Sequence, residues 1–168
     1  MQHVKLFIEK RGGVISFILA TIILFYFYSD VLLAPNEFIF SPGGDGIKNY
    51  YAYLFHAKND AGFWNFGGMN YPYYEHIVYT DGHPLLSWLI GVLGLADYGV
   101  GILNLMMLFS FPVAAFFIYR ILTHYKVQPD WSVLTSVAIA FLSPQVFRMT
   151  GHFSLSYVFA IPALWWLI

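Results

Sequence analysis

Apolar and polar positions alternate along this chain in long blocks. Met1 to Gly13 is short and basic, with Lys5, Lys10 and Arg11 against Glu9. Val14 to Leu33 is then almost wholly apolar, with Asp30 near its far end. About 20 apolar residues is the length that crosses a hydrocarbon core. Residues 34–83 are polar and aromatic by turns. Residues 84–96 are apolar but too few for a straight span, and Asp97-Tyr98-Gly99 interrupts them. Residues 100–122 form a second span with Pro112 as an expected kink. Arg120, His124 and Lys126 mark a turn, and residues 131–147 form a third span, broken by Ser143-Pro144. Its outer end is polar, QVFRMTGHFS, and residues 155–168 start a return span.

This pattern predicts an all-α membrane protein: polytopic transmembrane helices with a long external first loop carrying an interfacial helix. Residues 1–168 read as the N-terminal part of a single polytopic domain, because PALWWLI stops inside an apolar run shorter than one bilayer span. A signal peptide fits Val14 to Leu33 less well, since the run is too long and no small-residue cleavage site follows Leu33. Five basic residues fall on one predicted side (Lys5, Lys10, Arg11, Arg120, Lys126) and three on the other (Lys48, Lys58, Arg148). The bias puts the N-terminus in the cytoplasm and the loop outside. The expected location is the cytoplasmic (inner or plasma) membrane, crossed several times.

Composition sharpens this reading. Charged residues make up 10% of the chain against about 25% in a soluble domain. Mean hydropathy is +0.63. The net charge of -1 offers no basic surface for a nucleic acid. There is no cysteine, hence neither a disulfide framework nor a thiol nucleophile.

The charges that remain gather in Ser41 to Pro84. That stretch holds four of the nine carboxylates (Asp45, Asp60, Glu75, Asp81) and three of the six histidines (His56, His76, His83). A loop of this length between spans is uncommon without a function. Pro42-Gly43-Gly44 reads as a turn and residues 47–58 as a helix, with Ile47, Tyr50, Tyr51, Leu54 and Ala57 on one side. Such a helix would lie in the membrane interface.

Four groups of residues could carry chemistry. Asp45, flanked by glycines, suits a general base or a metal ligand; it equally suits an N-cap for the helix that follows. Glu75, Asp81 and His83, with His76, make a carboxylate–imidazole neighbourhood that could hold a divalent metal, yet their spacing matches no defined zinc motif, and solvated loop polarity explains them as well. Arg148 and His152 lie at a span end, where cations mark a phosphate pathway or snorkel to lipid headgroups. Trp64, Tyr71, Tyr73 and Tyr74 could stack on a sugar, although interface anchoring is their simpler role.

The order of these parts resembles the C-type (GT-C) membrane glycosyltransferases, which take sugars from polyprenyl-phosphate donors. One span precedes a long external loop with an exposed aspartate, PGGDG; the segment YPYYEHIVYTDGHP looks like the later part of that loop, and a later span ends in SPQVFRMTGHFSL. Protein O-mannosyltransferases, lipid A aminoarabinose transferases and oligosaccharyltransferase catalytic subunits share the plan. The resemblance covers most of the chain in layout and makes Asp45 the expected catalytic carboxylate. The loop lacks the Asp-Glu pair of the O-mannosyltransferases, which argues against that subgroup. What it implies is sugar transfer from a lipid-linked donor to an acceptor on the external face. Lys48, Arg148 and His152 would bind the donor phosphate, and the partners would be that donor and membrane lipids. Two rivals stand beside it: a transporter or flippase, and a non-catalytic subunit of polysaccharide biogenesis. The transporter predicts charges deep in the spans, and Val14–Tyr28 and Val100–Tyr119 contain none. On the transferase reading, Arg148 and His152 should fold back to the face that holds Asp45.

Overall fold

Long uncharged runs fold as helix because a helix satisfies its backbone groups internally. The computed structural model describes residues 2–168, with side chains from Lys10 onward. Lys5, part of the basic N-terminal cluster, therefore lies outside the described side chains. The chain is mostly helical: α1 (Gln2–Leu33), α2 (Gly44–Asn59), α3 (Pro84–Val92), α4 (Gly99–His124), α5 (Pro129–Leu142) and α6 (Ala160–Leu167). Two short strands, β1 (Asn65–Phe66) and β2 (Glu75–His76), pair antiparallel, Asn65 with His76 and Phe66 with Glu75.

Three segments are long and apolar enough to cross a membrane: Lys10–Leu33, Ala96–His124 and Pro129–Thr150. The first contains the expected 14–33. The second is α4 with a 3-10 turn, Ala96–Tyr98, in front; Pro112 sits inside the helix without ending it. In the third, Ser143-Pro144 ends the α-helix at Leu142, and the remainder is a 3-10 helix, Pro144–Thr150. Where a return span is expected to start, at 155–168, a 3-10 turn at Phe153–Leu155 precedes the helix α6. The short apolar helix expected at 84–96 stops at Val92, because Gly94 turns left-handed at φ 68°.

The chain divides into two compact units. The first comprises residues up to Ser29 with Met106–Val146 and Tyr157–Ile168. Here Gly12 and Gly13 let α1 lie against Tyr119 and Phe116 of α4. The buried Ser136 hydroxyl donates to Ser16 across α5 and α1 at 3.0 Å. An apolar cavity of about 430 Å³ runs among α4, α5 and α6 past Ile118, Ile139 and Trp165. Much of α1 keeps its apolar surface outward, including Val14, Ile18, Ile22 and Phe25, a face suited to hydrocarbon.

The second unit comprises Asp30–Leu105 and Phe147–Ser156. Its centre is α2 on α3. Gly91 makes that contact possible, since a Cβ there would sit 2.6 Å from the Ala57 carbonyl oxygen. Buried His56 fastens the contact, with Nδ1 2.7 Å from Ser87 Oγ and Nε2 2.9 Å from the Gly62 carbonyl. Ala52, Phe66 and Ile77 form a small core under the hairpin. Asn104 of α4 donates to the Pro35 and Phe38 carbonyls and accepts from the Tyr50 hydroxyl, which ties down the segment entering the loop. Burial holds the Tyr50 phenol protonated, its pKa pushed up to about 12.

The residues expected on one side of α2 divide between two environments. Asn49, Tyr50, Tyr53, His56 and Ala57 are buried, while Ile47 and Tyr51 are exposed. The polar Asn49 and His56 find partners inside, which turns the buried face toward them.

Candidate functional site

The site is built at the start of α2. Gly44 enters the helix with φ 57°, a conformation that costs glycine little. The N-cap is Gly43, and Asp45 lies in the first turn behind it, which corrects the N-cap reading of Asp45. Gly46 has a different duty. A Cβ on it would meet the Ser41 side chain and would sit 2.9 Å from the Thr150 carbonyl oxygen. The missing side chain lets the 147–156 segment approach the helix end. A Cβ built on Gly151 would lie 4.0 Å from the Cβ of Asp45.

Asp45 is exposed and accepts a hydrogen bond from Lys48 Nζ at 3.0 Å. That ammonium holds its carboxyl below the ordinary carboxylate range; the charge of His152 pulls weakly the same way. Asp45 is thus ionised at neutral pH beside the positive end of the helix dipole. A lowered pKa also makes it a weaker base for as long as Lys48 remains attached.

One turn on, Asn49 is 1% exposed. Its Nδ2 donates to the Gly151 carbonyl at 2.5 Å and to Asp81 Oδ2 at 3.2 Å. Both neighbours are acceptors, so the amide nitrogen must face them. The amide oxygen is buried with no hydrogen-bond partner among the described residues. Asp81, in a left-handed turn at φ 55°, also accepts the Ser154 N–H with both oxygens at 3.3 and 3.5 Å. Asn49 and Asp81 together clip the 147–156 segment to α2. Sequence reading passed over Asn49. The available signal was an amide four residues after Asp45, on the same helical face and among aromatics.

His83 caps α3 from another left-handed position, φ 48°. Its ring lies 6.4 Å from Phe153 in a stacked arrangement and 6.3 Å from Tyr53 edge-on. Burial pushes its pKa down, against the opposing pull of Asp81. His152 is exposed on the 147–156 segment. Arg148 is exposed too; its carbonyl accepts the N–H groups of Gly151 and His152 at 3.1 and 2.8 Å. The Arg148 guanidinium makes no ion pair among the described residues.

The structure therefore brings Asp45, Lys48, Asp81, His83, Arg148 and His152 into one unit, with the 147–156 segment against the start of α2. Glu75 stands apart, on β2 in a hollow lined by Asn65, Tyr73, Tyr74 and His76. Among the described residues, no three His, Asp or Glu side chains converge as a metal would need. Asp45 is already neutralised by Lys48, and Asp81 is engaged by Asn49 and Ser154.

Fold and site together define a mostly helical chain with three helices apolar enough to cross a membrane and a polar cluster at the start of a loop helix. The chain belongs to the family described as a domain of unknown function (DUF6311), whose model matches residues 17–168. No curated protein and no solved structure matches the chain.

Proposed function

We propose that this chain is part of a multi-pass membrane glycosyltransferase with the C-type plan. It would move a sugar from a polyprenyl-phosphate donor to an acceptor hydroxyl on the external face, with the N-terminus in the cytoplasm. The observation that carries the reading is a solvent-reachable carboxylate, Asp45, set among cations from two distant stretches, Lys48 and His152. Arg148 stands three residues from Gly151 on the same segment, free to meet a phosphate with its two-pronged fork.

The chemistry runs as follows. A donor phosphate draws Lys48, Arg148 and His152 toward it. Lys48 leaves Asp45, whose basicity then rises toward that of an ordinary carboxylate. Asp45 takes the proton of the acceptor hydroxyl as its oxygen bonds to the anomeric carbon. The bond from that carbon to the phosphate oxygen breaks, and its electron pair leaves with polyprenyl phosphate. The three cations stabilise the charge that develops there.

The test is sugar transfer from a labelled polyprenyl-phosphate donor by membranes containing the full-length protein. Asp45→Asn keeps the shape and removes the charge. Losing a general base costs about 10² to 10⁴ in rate. Transfer near the wild-type rate by folded Asp45→Asn protein would overturn the assignment, and Asp81 would be the next carboxylate to test.

A further inference from the structure

The exposed aromatics of the loop surround a polar hollow away from Asp45. It measures about 260 Å³ and is lined by Asn65, Tyr73, Tyr74, Glu75 and His76. A second hollow of about 380 Å³ shares Asn65 and Tyr74 with it and continues past Asp60. Several contacts fix this shape. Both oxygens of Asp60 accept the Gly67 N–H, at 3.2 and 3.1 Å, which sets the turn after β1. Tyr74 is held left-handed at φ 61°, a conformation that a bulky side chain rarely adopts, with its N–H on the Asn70 carbonyl at 3.0 Å. Trp64 stacks on the His76 ring at 4.9 Å and 29°. His76 Nδ1 accepts the Val78 N–H at 3.3 Å, so Nε2 carries the proton and donates outward.

The lining is a set of complementary partners. Glu75 offers an acceptor, His76 a donor, the Asn65 amide one of each, and the phenols either. No hydrogen bond among the described residues engages the Glu75 carboxylate or the phenols of Tyr73 and Tyr74. Tyr73, 85% exposed, presents nearly its whole ring. A sugar has the matching surface: a rim of hydroxyls that both donate and accept, and C–H faces that lie on aromatic rings. No Lys or Arg lines either hollow, and the carboxylates of Glu75 and Asp60 repel anions. A phosphate or an acidic sugar is disfavoured, and the polar lining does not suit a lipid tail. We infer that this hollow binds a neutral oligosaccharide. The inference does not depend on Asp45 or on sugar transfer.

The experiment is a glycan array probed with the detergent-solubilised full-length protein, with no lipid-linked donor present. The array carries neutral hexose, deoxyhexose and N-acetylhexosamine oligomers beside uronate-containing and phosphorylated ones. Wild-type protein should retain one or more neutral glycans. Glu75→Gln and Tyr73→Ala, with unchanged unfolding midpoints, should each weaken that binding at least tenfold. Tyr73 is nearly all in solvent, so its loss does not threaten the fold. Three outcomes overturn the inference: retention of no glycan, preference for the acidic or phosphorylated set, or wild-type binding by both variants. The last would leave the aromatics as membrane-interface anchors. Because no donor is present, the result stands whether or not Asp45→Asn abolishes transfer.

Discussion

The two ends of α2 carry nearly the same ion pair in different settings. At the start, Lys48 meets Asp45 at 3.0 Å; at the end, Lys58 meets Asp97 at 2.7 Å. Both pairs are exposed, and neither does much for stability. What differs is the polar chemistry beside them. Near Lys58, buried His56 has both ring nitrogens engaged, by Ser87 and by Gly62, and this end reads as a fastening. Near Lys48, Asn49 keeps a buried oxygen without a partner among the described residues, and the 147–156 segment adds His152 and the exposed Arg148. Distance and charge do not separate a surface pair from a candidate site. The surrounding polar groups do, through what they leave unused.

The sharpest break between the ends is in rate. Asp45→Asn should lower transfer by about 10² to 10⁴, while Asp97→Asn, the same change in the matching pair, should leave it near wild type. Equal losses in both variants would show that the assay reads folding of α2 rather than chemistry at its start.

Stability should divide the other way. His56→Ala removes a buried ring and strands the Gly62 carbonyl, while the Ser87 hydroxyl keeps its bonds to the His83 and Pro84 carbonyls, at a cost of about 3 kcal/mol. Chemical denaturation of the solubilised protein measures it. Specific activity per folded molecule should stay constant. A stable His56→Ala variant with reduced transfer would move the active end to the wrong side of the helix.

The smallest effect is a shift along the pH axis. Asp45 works as a base only when ionised, and Lys48 holds its pKa below the ordinary value. In the free enzyme, which kcat/KM reports, activity should therefore rise with pH through that lowered pKa. Lys48→Met removes the ammonium, so the acid limb of the kcat/KM profile should move to higher pH, toward an ordinary carboxylate. Any stability the pair gives is present above the ordinary carboxyl range and lost as pH falls through the lowered pKa. An unmoved acid limb would mean that another group sets it.

Much of this was legible in the sequence and some was not. The helices apolar enough to cross a membrane were, because uncharged length alone marks them: 14–33 lies within Lys10–Leu33, and 100–122 within Ala96–His124. The start of the helix within 155–168 was not, since apolar character does not reveal that the chain stays in turns until Ala160. The helix at PGGDG was legible, but the burial of Asn49 and His56 on it was not, because their partners at Gly151 and Ser87 are far away in the chain. The nearness of RMTGH to Asp45 was expected from topology. Its cause, the bare Cα of Gly46 under the Thr150 carbonyl, needed coordinates.

The central claim is that one site is assembled from the start of α2 and the 147–156 segment. These 168 residues hold no cysteine, so once any cysteine elsewhere in the full-length protein is replaced by serine, a pair of introduced ones reports cleanly. The Cβ positions of residues 45 and 151 are 4.0 Å apart, within the usual range for a disulfide. Asp45→Cys and Gly151→Cys should be combined in the full-length protein in its membrane and treated with a mild oxidant. A membrane-impermeant maleimide added from outside then reads the remaining thiols. The account predicts that each single variant is labelled from outside, and that the double variant loses its labelling on oxidation and regains it on reduction. Undiminished labelling of both thiols after oxidation, or labelling of only one of the two single variants, would contradict it.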